Sequence, residues 1–503
     1  MRQRFSLRIV LNVSSPDNPQ WYKEVLHMST QFDTVVGLEI HAELLTDSKM
    51  YCSCSAEFGG DENTHICPVC TGQPGALPIV NHRAVEFGIR AGLAFHCDIN
   101  RHIRFDRKNY FYPDLPKAYQ ISQLDLPLCE HGHLELSTGT VVRINRIHLE
   151  EDAGKMFHDD YNARSLADYN RCSVPLIEIV TEPDIKSAAE AAEFVSKVGT
   201  YLKYLGVCDA KMQEGSIRAD VNVSLKPAGS DQLGERAEIK NMNSMRGIQR
   251  AIEYEVERQT EILQNGGRVE QETRRFDDDM GVTKPLRSKE NANDYRYFPE
   301  PDILAVSFTD EDIERVRAGI PLLPHQRVEK YIKEFGLTDE DARVLTLEKY
   351  ISDFYDATVA VYPEYKSVAN LFLTEVMRRV KEMEGEEIAI DPVDFAEVVK
   401  MADTNVVNRN DAKTIIRVMF EEGGKPMDIA KANNFIVVED NAATEAFIES
   451  LLDEKADLLQ QYFDGKTNMF GFFMGQATRG LQGKATPKSI KECLEKAIES
   501  RRK

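Results

Sequence analysis

The sequence lacks any apolar run close to the ~18 residues that a membrane-spanning helix needs, so nothing in it is predicted to span a membrane. It has 503 residues, a single tryptophan, nine cysteines and a formal net charge of −21. Such an acidic balance argues against indiscriminate nucleic-acid binding but leaves room for a local basic site. An odd cysteine count without a secretory signal indicates a reducing compartment, so we expect a cytoplasmic protein.

Familiar nucleotide-binding signatures are also missing. There is no Gly-x-x-x-x-Gly-Lys-Ser/Thr loop, no G-x-G-x-x-G segment opening a helix and no kinase signature. Any ATP site would therefore have to be a carboxylate-lined sheet surface rather than a phosphate-binding loop.

Composition and periodicity divide the chain into four predicted segments. Residues 1–27 carry three arginines and a turn cluster, which predicts a disordered leader or a start codon placed too early. Residues 28–320 mix strands and helices without a regular βαβ rhythm, which predicts an α+β domain. Helical periodicity dominates 321–425, and 426–503 forms a basic tail domain. The last forty residues, 464–503, carry nine basic and four acidic side chains, a balance of +5.

Polar side chains alternate along a predicted strand at 33–44. Glu39, His41 and Glu43 fall on one face, and apolar residues fall on the other. Two carboxylates and an imidazole suit a divalent cation. The solvated outer face of an antiparallel sheet gives the same alternation, so this strand alone does not decide between the two.

Four more predicted strands, at 141–151, 174–182, 216–225 and 236–241, repeat this alternation. Their polar faces carry His148, Glu150, Glu178, Glu182, Arg218, Asp220, Asn222, Glu238 and Lys240. If these strands form one sheet, its face offers carboxylates for a metal and cations for phosphate oxygens, as metal-bound ATP requires. A solvated, charge-paired face remains the alternative for any single strand.

Four clustered cysteines form a CxC and a CxxC pair separated by twelve residues. They are Cys52, Cys54, Cys67 and Cys70. Four thiolates on two short loops suit a closed, tetrahedral structural zinc, within an insertion at 50–72. Four unrelated buried thiols are the alternative, and a redox role is a weaker one.

Aromatic and basic residues are mixed in the segments 105–120 and 287–299, and Arg274 and Arg275 precede the second. Such mixtures hold single-stranded RNA ends, with bases on the rings and phosphates on the cations. They are also common on ordinary surfaces.

Taken together, six segments resemble the B subunits of the aspartyl/glutamyl-tRNA amidotransferase family, and the likeness runs from about Asp33 to the tail. The segments are Val36–His41, Phe105–Asp114, Lys117–Gln123, His148–Lys155, Pro175–Val180 and Asp294–Asp302. The resemblance implies a catalytic domain like that of glutamine synthetase. It also implies that ATP phosphorylates the side-chain carboxylate of Glu-tRNA(Gln) and/or Asp-tRNA(Asn), and that ammonia then forms the amide.

The resemblance also implies the residues of the sites. Magnesium ligands would be Glu39, His41, Glu150 and Glu178, and zinc ligands would be Cys52, Cys54, Cys67 and Cys70. ATP or phosphate contacts are expected at Arg218, Asp220, Asn222, Lys240 and Lys155. The tRNA acceptor end is expected at Arg107, Lys108, Tyr110, Tyr112, Arg274, Arg275, Tyr295 and Arg296. Contacts of the basic tail with tRNA are expected at Arg479, Lys484 and Lys488.

The sequence shows neither an amidase Ser-Ser-Lys signature nor a recognisable cysteine glutaminase motif. It therefore agrees with the family's heterotrimer, in which the amidase (A) subunit makes ammonia and the small (C) subunit holds the complex together. Two rival functions remain open from the residues. One is a free-standing carboxylate–ammonia ligase for a small molecule, and the other is a non-catalytic, zinc-bearing RNA-binding protein.

Overall fold

A computed structural model describes residues 32–502 apart from 160, 243, 289–294, 381–386, 437–440 and 482–484. The predicted leader at 1–27 and the predicted tRNA contact Lys484 lie outside the described residues. The chain divides into two compact units between Leu323 and Pro324. The finer division into domains made from the sequence stays a prediction.

The first unit contains sixteen strands and four helices among the described residues. The strands are β1 Phe32–Glu43, β2 Asp98–Ile99, β3 His102–Ile103, β4 Asp106–Asn109, β5 Tyr119–Ser122, β6 Cys129–Glu135, β7 Val141–Glu151, β8 Lys155–Asp159, β9 Arg164–Asp168, β10 Pro175–Thr181, β11 Ile217–Pro227, β12 Ala237–Met242, β13 Glu272–Asp277, β14 Val282–Ser288, β15 Phe298–Pro299 and β16 Val306–Ser307. The helices are α1 His82–Ala94, α2 Ala188–Leu205, α3 Met245–Gln264 and α4 Asp310–Ala318.

Nine of these strands form one mixed sheet in the order β14-β13-β12-β11-β1-β10-β7-β6-β2. Only β12 and β13 pair in parallel; the other neighbours are antiparallel. All five strands predicted from alternation are present and lie next to one another, with β1 in the middle. The predicted α+β fold with a mixed sheet is confirmed.

One face of the sheet is apolar and covered by helices. Leu38 and Ile40 of β1 and Ile177 of β10 are buried there, in the same core as Phe194 and Val198 of α2. Burying these side chains contributes roughly 1.5–3 kcal/mol each. The opposite face of the sheet is thus left to the polar side chains.

Helix α2 begins at Ser187, whose hydroxyl accepts a hydrogen bond from the Glu190 backbone N–H at 3.2 Å. Glu190 does not return a bond to Ser187, as a capping box would require. Its carboxylate accepts instead from the Lys186 N–H at 2.9 Å and from the Thr138 hydroxyl at 2.8 Å. The helix ends before Gly206, whose φ of 66° is the left-handed conformation that glycine adopts readily at a helix end.

A β-bulge at Asn145 of β7 shifts the pairing of β7 with β10 between Val180 and Thr181. Thr181 Oγ1 accepts a hydrogen bond from the Leu38 N–H at 2.9 Å. Beyond the bulge, Glu182 accepts from Asn145 Nδ2 at 2.7 Å. The extra residue of the bulge lies in β7, so the expectation that Glu182 shares the face of Glu178 stays a prediction.

The second unit is helical throughout its described residues and has two separate apolar cores. Its helices are α5 Pro324–Lys333, α6 Asp339–Leu345, α7 Lys349–Val361, α8 Tyr365–Leu371, α9 Met377–Val380, α10 Pro392–Asp403, α11 Arg409–Glu421, α12 Pro426–Ala432, α13 Asn441–Glu454, α14 Ala456–Phe463, α15 Met469–Gly480 and α16 Pro487–Ser500, with a π-helical turn at Phe372–Val376. One core is centred on Phe372 and Phe395, and the other on Phe473 and Leu494. Across the described residues of both units, no helix combines the length and apolarity needed to cross a membrane.

Candidate functional site

The polar face of the sheet is organised around β1. His41 lies opposite Glu178 of β10 on one side and Arg218 of β11 on the other. Glu178 lies in turn opposite His148 of β7. Because residues directly opposite one another share a face, four side chains from four adjacent strands meet in one row across the sheet.

Three clusters of possible metal ligands occur among the described residues of this unit. The first, which we call the carboxylate cluster, consists of His41, Glu150 and Glu178. Their potential ligand atoms all lie within 4.8 Å of one another. His41 Nε2 is 3.4 Å from Glu178 Oε2 and 4.0 Å from Glu150 Oε2. His148 Nε2 lies 3.2 Å from Glu150 and 3.3 Å from Glu178, so His148 bridges the two carboxylates.

Charge partners keep the buried carboxylates ionised. Burial favours the neutral form of Glu150, but Lys108, at 3.9 Å, and His148 outweigh it and lower the pKa of Glu150 to about 2. Burial likewise opposes the charged form of His148, yet Glu178 and Glu150 raise the pKa of His148 to about 9. The pKa of Glu178 lies well below its usual range because His148 and His41 overcome the cost of burial.

Uncharged donors fix the Glu150 carboxylate in place. The Ser122 hydroxyl donates to Glu150 Oε1 at 2.7 Å, and Gln120 Nε2 donates to Oε2 at 3.1 Å. Both donors come from β5, which belongs to a separate three-stranded sheet with β4 and β15. Glu150 is thus positioned by two sheets at once.

The donor set of the carboxylate cluster fits a hard divalent cation. Two ionised carboxylates and one imidazole offer oxygen and nitrogen ligands of the kind that Mg²⁺ and Mn²⁺ accept. A cavity of about 310 Å³ opens at the cluster and is lined by His41, Glu150, Arg218 and Lys240, among others. This space admits the phosphate chain of a nucleotide beside the cation.

Glu39, predicted as a fourth magnesium ligand, belongs to a different group of acids. In the described residues it gathers with Asp220 and Glu238, whose ligand atoms also lie within 4.8 Å of one another. Burial and the neighbouring Glu178 and Glu238 raise the pKa of Glu39. Asn222 Nδ2 donates to Glu39 Oε1 at 3.1 Å. The structure therefore brings three of the four predicted ligands together. The fourth, Glu39, lies two residues before His41 on β1 and belongs to the second group of acids.

The cations predicted to bind phosphate already have acidic partners. Lys240 Nζ lies 2.6 Å from Asp220 and 2.7 Å from Glu238, and Arg218 lies 2.9 Å from Asp152. Lys155 is apart from them. It is exposed on β8, with Nζ 4.8 Å from the centre of the Phe157 ring, a placement that gives its predicted phosphate contact no support.

Glu43, which alternation placed on the polar face without a role, pairs with Asp152. Burial and the Asp152 carboxylate raise the pKa of Glu43 to about 8, against the lowering effect of Arg218 and Arg171. One proton shared between Glu43 and Asp152 leaves a single negative charge facing Arg218. The sequence did not connect three further residues with the polar face around His41: Asp152, Lys108 and Ser122. They come close to it only in the folded protein, because Asp152 follows β7 and the other two lie on β4 and β5.

The four predicted zinc cysteines form a thiol cluster, defined as Cys52, Cys54, Cys67 and Cys70. Their Sγ atoms all lie within 4.8 Å of one another. A tetrahedral site with Zn–S bonds of about 2.3 Å has sulfur atoms roughly 3.8 Å apart, so the set fits zinc. Contacts with Cys52, the Cys67 N–H and Lys49 lower the pKa of Cys70 to about 5 despite burial.

Lys49 supports this cluster from a fully buried position. Its Nζ donates to the His65 carbonyl at 2.7 Å and the Tyr169 carbonyl at 3.3 Å, and it lies 3.9 Å from Cys70 Sγ. The ammonium group of Lys49 is therefore a buried positive charge close to the Cys70 sulfur. It would offset part of the net negative charge of four thiolates and one Zn²⁺.

The residues predicted to hold the tRNA acceptor end separate into two kinds. Arg107 donates to both oxygens of the buried Glu300, at 2.7 and 2.9 Å, and Arg274 is buried with Glu255 and Thr283. These two arginines are occupied in structural contacts. Their roles in tRNA binding find no support in this geometry.

The other predicted acceptor-end residues lie near the cavity or on the surface. Tyr110 lines the cavity at the carboxylate cluster, and its ring centre is 5.9 Å from that of Tyr295. Lys108 Nζ is 5.2 Å from the Tyr295 ring centre. The exposed members are Tyr112, Arg275 and Arg296, and in the tail Arg479 and Lys488.

The comparisons with known proteins agree with this arrangement. Residues 34–314 match the model of the GatB/GatE catalytic domain, and residues 353–498 match that of the GatB domain. Three curated relatives are each named as the B subunit of the aspartyl/glutamyl-tRNA(Asn/Gln) amidotransferase. That of Ruminiclostridium cellulolyticum is 50% identical over 464 residues, 91% of this chain and 96% of that protein.

The relative from Caldicellulosiruptor saccharolyticus is 46% identical over 477 residues, and that from Thermoanaerobacter pseudethanolicus 44% over 473. Each match covers 93% of this chain and 99% of the relative. The match over residues 34–314, which include the polar-faced sheet, places the chain in the GatB/GatE catalytic class. Within that class, the chain belongs to the GatB family, the B subunits of aspartyl/glutamyl-tRNA(Asn/Gln) amidotransferases. The resemblance found in the sequence is confirmed.

Proposed function

We propose that the polar face of the sheet uses ATP to activate the side-chain carboxylate of Glu-tRNA(Gln) and/or Asp-tRNA(Asn) for amidation. A carboxylate oxygen attacks the γ-phosphorus, and ADP leaves. Ammonia then attacks the acyl carbon, phosphate leaves, and a proton is lost to give the amide. Family membership supports the reaction, and the carboxylate cluster beside Arg218 and Lys240 is the observation that carries its location.

Magnesium would be held by His41, Glu150 and Glu178, and the family resemblance adds Glu39 as a fourth ligand. When bound, the ion supplies charge neutralisation for the triphosphate. Lys108 and His148 keep the two buried carboxylates ionised, so the cluster presents its negative charge ready for a cation. Arg218 and Lys240 can exchange their acidic partners for phosphate oxygens, which form strong charge-assisted hydrogen bonds.

The thiol cluster would hold a structural zinc in the insertion at 50–72. No open coordination position is needed there, since four thiolates already complete a tetrahedron. The helical segment 321–425 and the tail 426–503, whose last forty residues carry a balance of +5, would bind tRNA. The tail contacts would come from Arg479, Lys484 and Lys488. Aromatic contacts to the acceptor end are expected from Tyr110, Tyr112 and Tyr295.

The ammonia would come from a partner amidase, the A subunit, in a cytoplasmic heterotrimer with a small C subunit. The names of the relatives describe them as one subunit of an amidotransferase, and this sequence carries no amidase or glutaminase signature of its own. Delivery from a partner keeps ammonia unprotonated until it meets the activated carboxylate.

Co-expression with the candidate amidase and small partner proteins tests the function directly. We expect ATP-dependent conversion of Glu-tRNA(Gln), Asp-tRNA(Asn) or both to the amide, measured separately for each charged tRNA. Free glutamate and aspartate serve as controls and should not react. Amidation of a free amino acid without tRNA would favour a small-molecule ligase, and absence of any ATP-dependent step would overturn the proposal.

A further inference from the structure

Arg146 of β7 projects from the polar face of the sheet beside the carboxylate cluster. The bulge at Asn145 ends just before it, and from there the alternation along β7 is regular, with Ile147 fully buried on the opposite face. Arg146 therefore shares the face of His148 and lies about 7 Å from it along the strand. The proposed reaction so far gives Arg146 no role.

Arg146 differs from the other cations around the cluster because it has no acidic partner. Lys108, Arg218 and Lys240 lie 3.9, 2.9 and 2.6 Å from a carboxylate oxygen, respectively. Within the part of the chain that the structure describes, Arg146 forms no ion pair, and its Nε is buried without a hydrogen-bond partner. A buried donor without an acceptor is unfavourable, so a ligand that supplies acceptors explains an arginine at this position.

The acidic residues that neighbour Arg146 in the sheet have other partners. Glu130 of β6 lies directly opposite Arg146, but its carboxylate accepts a hydrogen bond from Asn100 Nδ2 at 2.8 Å. On its other side Arg146 lies opposite the apolar Val180 of β10. Glu178, two residues before Val180, already contacts two histidines. The sheet itself therefore leaves the positive charge of Arg146 without a counterion among the described residues.

Arg146 and the carboxylate cluster act on the same tyrosine. Burial raises the pKa of Tyr297 to about 12; the positive charges of Lys108 and Arg146 oppose this rise, whereas the two carboxylates of the cluster add to it. The ring centre of Tyr297 is 6.1 Å from that of Tyr295, which is predicted to contact the tRNA acceptor end. Arg146 thus lies where the metal-binding face approaches the segment expected to receive the charged tRNA.

We propose that Arg146 binds an oxyanion of the two reacting groups, either a phosphate of ATP or the side-chain carboxylate of the aminoacyl group. This inference rests on the proposed function. A guanidinium is always charged and offers two parallel N–H donors that match a carboxylate or a phosphate. Arg218 on β11 and Arg146 on β7 are three strand spacings apart, about 14 Å, with β1 and β10 between them. The reacting anions would then be held from both sides of the metal site.

Arg146→Gln in the full complex tests the proposal. With an ammonium salt as nitrogen donor, kcat/KM for ATP-dependent amidation should fall about 10- to 100-fold, because charge-assisted hydrogen bonds to a reactant are lost. Arg146→Lys keeps the charge but not the two parallel donors, so it should lose only about fivefold. Arg143→Gln is the matched control and should stay within about twofold. Arg143 lies on the same strand, is exposed and is paired with Asp184 at 2.7 Å.

Two further measurements identify the oxyanion. KM is measured for ATP, and equilibrium binding is measured for a substrate tRNA and for its amidated product, which differ only in the side-chain carboxylate. A rise in the KM for ATP alone in Arg146→Gln would assign Arg146 to a phosphate of ATP. Weaker binding of the substrate tRNA, with binding of the amidated product unchanged, would assign it to the carboxylate.

Unchanged constants in a folded Arg146→Gln variant would overturn the proposal and leave the proposed function intact. Equal weakening for substrate and product tRNA, with an unchanged KM for ATP, would place Arg146 at the tRNA backbone and would also overturn it. If Arg146→Gln does not fold, the same measurements on Arg146→Lys and Arg143→Gln decide the question. If the unmodified complex shows no ATP-dependent amidation, the proposed function itself has failed, so the two failures are distinguishable.

Discussion

The carboxylate cluster and the thiol cluster are both suited to a cation, but they are built in different ways. His41, Glu150 and Glu178 project from adjacent strands of one sheet into an open cavity. Cys52 and Cys67 lie on loops, and with Cys54 and Cys70 they complete their own coordination set. Rigid strands and an open side suit a cation that must meet a substrate, whereas loops closed by four thiolates suit a cation that holds a fold together.

The largest expected effect comes from neutralising the carboxylate cluster. Glu150→Gln keeps the shape of the side chain but removes its charge, so ATP-dependent amidation should fall about 100-fold or more. Single-turnover phosphorylation by the full complex measures this loss. Glu182→Gln, just after the end of β10 and outside both clusters, is the control and should retain normal activity. If a folded Glu150→Gln variant kept its activity, the carboxylate cluster would not be the catalytic site.

Metal removal separates the clusters without mutation. Brief treatment with EDTA should abolish amidation, because an open carboxylate site exchanges Mg²⁺ quickly, and excess Mg²⁺ should restore it. Metal analysis of the same sample should still find zinc, held by four thiolates. If activity returned only after zinc was added, EDTA would have removed zinc from the thiol cluster as well as Mg²⁺ from the carboxylate cluster. The two clusters would then not differ in how readily they release their cations.

Loss of the thiol cluster should weaken the fold more than the chemistry. Cys67→Ser combined with Cys70→Ser should release the zinc and lower the thermal midpoint of the sheet-containing unit by about 5–10 °C. Activity per folded molecule should fall less than about tenfold. Cys493→Ser, on α16, should keep the zinc and the midpoint. An activity loss as large as that of Glu150→Gln would contradict a purely structural role.

The smallest effect is expected from the buried ammonium beside the thiol cluster. Lys49→Met leaves the carbonyls of His65 and Tyr169 without their donor, which should lower the free energy of unfolding by about 1–3 kcal/mol. Lys155→Met, at an exposed position, should change it by no more than about 0.5 kcal/mol. Denaturant unfolding measures both. Equal effects of the two substitutions would show that Lys49 adds nothing specific to the cluster.

Alternation along single strands was enough to place the polar face that carries the candidate site, because side chains of a strand follow a period of two wherever the ladder is regular. It could not show that Glu39 groups with Asp220 and Glu238, since that depends on which strands are neighbours. It also could not locate the bulge at Asn145 of β7, which leaves no mark in composition.

The segments that mix aromatic and basic residues predicted contact residues less reliably than alternation predicted the polar face, and for a different reason. The pattern cannot distinguish a cation that is available for phosphate from one already paired. Arg107 proved to be paired with Glu300, and Arg274 proved to be buried beside Glu255. Cysteine spacing was the most local signal and predicted a compact cluster. The sequence did not connect Ser122 or Lys108 with Glu150, because both reach Glu150 from a second sheet.

The central position of β1 has a consequence for how the protein is made. Glu39 is hydrogen-bonded to Asn222, 183 residues later in the chain. At synthesis rates of about 5–20 residues per second, β1 waits roughly 10–40 s for this partner to leave the ribosome. Pairings of such long range form slowly and leave apolar strand surface exposed in the meantime. Nascent chains of this protein should therefore depend on chaperones that cover β1 until β11 arrives.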